Sequence, residues 1–226
     1  MFPISDSVKA GKTPFITLAI IAVNVYVFVV YLLFGDTDAF VNEYALVPNK
    51  IDFLNLNTLY PLITSQFLHG GFFHIFSNMW FLWVFGDNVE DKIGRIRFVL
   101  LYLLAGIAGG ILQYILNSGS SIPMLGASGA VSGILGAYYV FFPKHTIKSV
   151  VFLFFVITTI NIPAGIYIFY WFIIQLFQGV ASIPSLSVET GGVAFFAHVG
   201  GFGAGYLIAK FLNKPKKDYI EGEILD

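Results

Sequence analysis

The sequence predicts an all-α, polytopic membrane protein of six transmembrane helices with both termini cytoplasmic. Three observations lead there. Of 226 residues, 57% are hydrophobic and 11% charged, far from the balance of a soluble globular chain. The apolar residues fall in charge-free runs of about 20, the length that crosses a bilayer as a helix. The cations are segregated as well. Sorted by six spans, Lys9, Lys12, Lys92, Arg95, Arg97, Lys144, Lys148, Lys210, Lys214, Lys216 and Lys217 fall on one side and Lys50 alone on the other. Basic loops stay cytoplasmic, and misplacing one span would mix the two sets.

Residues 1–13 form a short cytoplasmic tail on this reading, 14–212 the membrane domain and 213–226 a cytoplasmic C-terminal tail. The first span runs from Pro14, suited to a first helical turn, to Phe34; it is too long for the apolar core of a cleavable signal. From Gly35 to His69 a mixed stretch reads as an interfacial flap with short helices. The second span is Phe72 to Gly86, closed by the charged connection Asp87 to Arg97, in which Glu90, Asp91, Lys92 and Arg95 read as an ion cluster. The third, Phe98 to Leu116, ends in an uncharged Asn-Ser-Gly-Ser-Ser turn.

The fourth span, Ala127 to Phe142, carries small residues at helical spacing: Gly129, Gly133 and Ala137, and again Ser128, Ser132 and Gly136. Small residues let backbones approach in lipid, where apolar side chains supply no driving force, so this helix is expected at the centre. Asn161-Ile162-Pro163 breaks the next apolar run, because proline removes a donor and disfavours helix just before it. That leaves Ala164 to Val180 as the fifth span. Val150 to Ile160, rich in β-branched and aromatic residues, is expected at the interface or packed on the bundle. The sixth span, Val193 to Leu212, repeats Ala197, Gly201 and Gly205.

Chemistry concentrates in three places. Gly126-Ala127-Ser128-Gly129 opens the fourth span, His74 and Asn78 stand one helical turn apart in the second, and His198 lies in the sixth. With cytoplasmic termini all three spans enter from the outer face, and a rise of ~1.5 Å per residue puts the three sites at matching depth in the outer third of the bilayer. A serine hydroxyl needs an adjacent base, usually neutral imidazole. No carboxylate lies at this depth, so a Ser128–His198 dyad is what remains. An oxyanion needs preorganised donors, which the Ser128 N–H, the Asn78 amide and a His74 ring N–H would supply.

Each residue also has a plainer reading. A serine in a glycine-rich helix usually packs, and His74 and Asn78 could bridge helices. His69 reads as loop bonding or capping and His145 as a solvated residue. Phe169, Trp171, Phe172 and Phe177 of the fifth span read as lipid-facing. Cysteine is absent, which excludes disulfides and thiolate metal sites, and a net charge of -1 leaves no nucleic-acid footprint.

Taken together, His74-x-x-x-Asn78, Gly126-x-Ser128-Gly129 and Ala197-His198-x-x-Gly201-x-x-x-Gly205 resemble the rhomboid family of intramembrane serine proteases over nearly the whole chain. The resemblance implies Ser128 as nucleophile, His198 as base and later acid, and His74 with Asn78 as oxyanion donors. Gly126, Gly129, Gly201 and Gly205 would serve close packing, the last two between the fourth and sixth helices. It implies cleavage of transmembrane segments of other membrane proteins near their outer ends, within the lipid bilayer and without cofactor, ATP or metal. The expected setting is a prokaryotic plasma membrane. Two departures stand out: Tyr60-Pro61 replace the Trp-Arg pair common in the flap, and Ser132 replaces the aromatic residue that packs on the base. A non-catalytic relative that binds transmembrane helices is the alternative. A proton-coupled transporter would carry membrane carboxylates and inverted repeats, and the sequence has neither.

Overall fold

The structure, a computed structural model, describes residues 1–7, 10–34, 37–153, 156–182 and 193–213. Six longer helices form the bundle: α1 (Phe15–Phe34), α4 (Phe72–Ile93), α5 (Arg95–Leu116), α6 (Ser128–Phe141), α7 (Ala164–Ser182) and α8 (Phe195–Leu212). Four of them, α1, α5, α7 and α8, are long and apolar enough to cross a membrane. Lys9 and the tail from Lys214 onward, which carry part of the charge argument, lie outside the described residues.

The central helix is α6, every residue of which from Gly129 to Tyr138 is buried. Its neighbours are α8, α5 and α4, as its small residues lead one to expect. It has 14 residues, which at ~1.5 Å each is about 21 Å, short of the ~30 Å hydrocarbon layer. Its N-terminus is therefore reached through a loop that dips into the bundle. The flap supports that loop. It is built of α2 (Thr37–Tyr44), α3 (Pro61–Thr64) and three single 3₁₀ turns, and Leu46 exchanges backbone hydrogen bonds of 2.9 and 2.8 Å with Met124. Tyr60 anchors its far side, with its hydroxyl 2.8 Å from Glu43 Oε1, while Pro61 opens α3.

The helix α4 runs seven residues beyond the expected Gly86 boundary, to Ile93, and turns into α5 through Gly94 at φ 83°. This extension gives Glu90 a different role from the expected ion cluster. Glu90 is 3% exposed and caps α1: its Oε1 accepts from the Ile16 N–H at 3.0 Å, and Oε2 accepts from the Thr17 N–H and hydroxyl at 2.8 Å each. A carboxylate there satisfies orphan donors and complements the helix dipole. Asp91 accepts from the Gly11 N–H, and the Arg95 guanidinium lies over the Phe15 ring.

The fold is not all-α. A three-stranded antiparallel sheet, in the order β1-β2-β3, joins β1 (Phe2–Asp6) to the hairpin of β2 (Thr146–Leu153) and β3 (Val156–Pro163). Runs of β-branched residues favour the pleated form. Ile147, Ser149 and Val151 face inward and are buried, with Lys148 and Phe152 on the opposite face, the period of a strand packed on one side. So β2 packs on the bundle, β3 pairs with it as a mostly exposed strand, and residues 2–6, expected in a tail, supply the third member.

The strand β1 lies along α4. Its Asp6 accepts from Tyr138 at 2.5 Å and from Asn88 at 2.9 Å. At its other end Trp80 Nε1 donates to the Pro3 carbonyl at 2.7 Å, and the Phe2 ring stacks on Trp80 and Phe76. From Asn88 back to Trp80 is ~12 Å of helix, and from Asp6 to Phe2 ~13 Å of strand. The two elements therefore run side by side.

Candidate active site

The end of the bundle formed by the N-termini of α4, α6 and α8 holds the residues that the sequence singles out. Gly126 has φ 133°, which an L side chain rarely adopts, and a Cβ there would lie 2.6 Å from His74 Nε2 and 3.7 Å from Ser128 Oγ. Glycine is therefore needed twice over, for the turn and for the approach of His74 to Ser128. Ser128 is the first residue of α6, whose first turn has no side-chain cap, so its N–H is one of the orphan donors of a helix start.

His69 holds this turn from behind. It is fully buried, its Nε2 accepts from the Ala127 N–H at 3.5 Å, and its carbonyl accepts from Tyr31. Its ring meets that of His74 edge-on, centroids 5.1 Å apart. The expected loop-bonding role is thus specific: His69 positions both the glycine turn and His74.

A cleft of about 950 Å³ is lined by His74, Asn78, Ser128, Trp171, Gln175 and His198, among others. The structure brings all four sequence-predicted chemical groups into it. Asn78 is 6% exposed and its Nδ2 has no partner among the described residues. Buried donors are normally satisfied, and this one stands among the lining residues of the cleft. Ser128 and His198 face the cleft without a hydrogen bond between them, as often occurs before substrate binds.

Sequence reading missed Gln175. Its Oε1 lies 2.6 Å from His198 Nδ1. An amide oxygen only accepts, so Nδ1 carries the proton and Nε2 keeps its lone pair. The signal was an amide in an apolar run, where polar groups are costly. The ring is also flanked by Trp171 and Phe195, centroids 6.2 and 6.4 Å away. Trp171 and Phe172 therefore point inward, Phe172 stacking on Phe202 at 4.5 Å, against their expected lipid-facing place; Phe169 and Phe177 are exposed as expected. Ser132 does not orient His198: its hydroxyl donates to the Ser128 carbonyl at 2.6 Å.

The α6–α8 contact that brings serine and histidine together is backbone on backbone. A methyl at Gly201 would overlap the Gly129 carbonyl, and one at Gly205 would lie 2.5 Å from the Gly133 Cα.

Comparison with known proteins gives the same direction. Residues 56–215 match the family described as Rhomboid domain. The chain is 35% identical over 162 residues to RHOMBOID-like protein 4 of Arabidopsis thaliana, covering 70% of this chain and 36% of that protein. It is 29% identical over 200 residues to mitochondrial Rhomboid protein 1 of Saccharomyces cerevisiae, covering 87% and 53%. It is 34% identical over 95 residues to the mitochondrial Presenilin-associated rhomboid-like protein of Mus musculus, covering 41% and 25%. The chain thus spans a quarter to about half the length of these relatives. They are plant and mitochondrial proteins, and they lend no support to the expected prokaryotic plasma membrane.

Proposed function

The chain belongs to the rhomboid family, and from that premise we propose that it is an intramembrane serine endopeptidase acting on transmembrane segments of other membrane proteins. The observation that carries the reading is a single cleft. It holds a serine at a helix start, an imidazole whose Nδ1 faces an acceptor, and an amide donor without a partner among the described residues. Ser128 Oγ attacks the scissile carbonyl carbon while His198 Nε2 takes its proton. The resulting oxyanion is met by the Ser128 N–H, the Asn78 amide and His74, in a site of low dielectric where such donors count most. His198 returns the proton to the leaving amine, and a water repeats the sequence on the acyl-enzyme.

Labelling of the detergent-purified protein with a serine-reactive fluorophosphonate tests this. Wild type should label and Ser128→Ala should not; equal labelling of the two would remove the nucleophile and the reading with it.

Six spans, α1 and α4 to α8, with the start of α1 and the C-terminus cytoplasmic, accompany this function; residues 2–6, expected in a cytoplasmic tail, run back along α4 to Trp80 and Phe76 instead. A reporter fused to the C-terminus should be protected from protease added outside intact cells, and a cleaved reporter would contradict the orientation. Asn78→Ala should lower turnover by roughly 10- to 1000-fold, the upper part being typical of losing one oxyanion donor, with substrate affinity little changed. Weaker binding at unchanged turnover would make Asn78 a helix-bridging residue. Gln175→Leu should lower kcat roughly 10- to 100-fold, part of what a general base contributes, at constant KM. Gln175→Glu, which keeps an acceptor at Nδ1, should restore most of it. Equal losses in both variants would mark Gln175 as packing only.

A further inference from the structure

The end of the bundle remote from the cleft carries a second recess, of about 530 Å³, between the start of α1 and the turn from α4 into α5. Three cations line it: Lys12 ahead of α1, and Arg95 and Arg97 in the first turn of α5. Lys92, in the last turn of α4, lies 6.0 Å from the ring of Phe141, at the far end of α6 from Ser128. The 14 residues of α6, ~20 Å of helix, therefore separate this recess from the catalytic groups.

Two carboxylates also line the recess, and both are engaged elsewhere. The Glu90 oxygens are held by the Ile16 and Thr17 donors at the head of α1, and Asp91 Oδ2 accepts from the Gly11 N–H at 2.8 Å. Among the described residues neither pairs with Lys12, Arg95 or Arg97. Arg95 instead lies over the Phe15 ring, its guanidinium carbon 4.6 Å from the centroid. That contact fixes the group and gives none of its N–H donors an oxygen. Three like charges around one opening repel each other until an anion joins them, and a guanidinium fork matches the paired oxygens of a phosphate.

Beside the cations the surface is apolar. Phe15 is 56%, Ile96 79% and Leu100 51% exposed, and Leu100 follows Ile96 by one turn on the same face of α5. They belong to the first turns of α1 and α5, two helices long and apolar enough to cross a membrane. A cationic rim that passes directly into lipid-facing side chains has the outline of a phospholipid lying along a helix. A free phosphate ion would have no use for the apolar border.

We propose that this recess binds an anionic phospholipid, its phosphate between Lys12, Arg95 and Arg97 and its acyl chains over Phe15, Ile96 and Leu100. Basic pockets between transmembrane helices hold anionic headgroups in this way. A zwitterionic lipid brings a quaternary ammonium to the same cations and is disfavoured by it. The bound lipid joins the start of α1 to the start of α5, a junction made otherwise through Glu90 and Asp91 of α4. The recess shares no lining residue with the cleft, so the site stands whether or not the protein cleaves a substrate.

Melting temperatures in a neutral detergent test it, with dioctanoyl phosphatidylglycerol, dioctanoyl phosphatidylcholine or inorganic phosphate added. Phosphatidylglycerol at about ten times its Kd should raise the wild-type midpoint by about 3–6 °C, and the other two by much less. The triple variant Lys12→Gln, Arg95→Gln, Arg97→Gln should lose that shift. The triple variant Lys144→Gln, Lys148→Gln, Lys210→Gln removes as much charge elsewhere and should keep it. Arg97→Gln alone, which leaves the Arg95 contact with Phe15 in place, should weaken the lipid's apparent affinity roughly tenfold or more, and it decides the matter if the first triple variant does not fold. A shift lost equally in both triple variants would reduce the effect to general surface charge. An equal shift with inorganic phosphate would make the site one for the free ion, and an unshifted wild type would remove it; each of these overturns the proposal.

Discussion

Ser128→Ala, His198→Ala and the double variant should all show the same residual turnover, roughly 10,000-fold or more below wild type. Groups that act as one unit behave this way, since removing either partner already removes the step they perform together. Without Ser128 there is no bond to form; without His198 the hydroxyl keeps its proton and stays a weak nucleophile. Turnover of a model transmembrane substrate in proteoliposomes measures it. A double variant much worse than either single one would mean that the two groups act independently, and unchanged turnover in Ser128→Ala would end the protease reading. Substrate retention should persist in all three variants, because the cleft wall of Phe81, Trp171 and Gln175 is untouched.

Gly205→Ala should lose about 3 kcal/mol of stability or more, the upper range of overpacking, and turnover should fall with it although Gly205 is remote from the cleft. The added methyl would overlap the Gly133 backbone, and backbone, unlike a side chain, has no rotamer by which to give way. The helices α6 and α8 must part, and the serine and histidine that they carry part with them. Gly203→Ala, two residues away on the same helix, is the matched control: a Cβ there meets nothing within 4 Å. It should be neutral or gain up to about 1 kcal/mol from helix propensity. Equal melting temperatures for the two variants in the same detergent would refute the close backbone contact.

That contact was legible in the sequence, as were the helices, because both depend on local rules. Apolar run length marks a membrane helix, and small residues four apart mark a face that admits another backbone. The matching depths of His74, Ser128 and His198 followed from counting. What stayed hidden depends on pairings far apart in the chain. Nothing in Phe2-Pro3-Ile4-Ser5-Asp6 announces a strand; it becomes one only because β2 offers an edge. Between β2 and β3, Phe154 and Phe155 carry none of the glycine or asparagine that signals a tight hairpin. Glu90 beside Lys92 and Arg95 looks like half of an ion pair, and only the extension of α4 shows that it reaches the start of α1. Gln175 was visible as a residue out of place, but its partner was not.

The seating of β1 has a consequence for the order of events during synthesis. Its Asp6 bonds to Tyr138, 132 residues later, and its backbone pairs with a strand that follows Tyr138. At about 5–20 residues per second, β1 waits roughly seven to twenty-six seconds before its partners leave the ribosome. Four helices must be threaded and packed in that interval while an apolar strand with open backbone groups stands beside them. The sheet therefore closes only after α1, α4, α5 and α6 have been made, while α7 and α8 are still to follow.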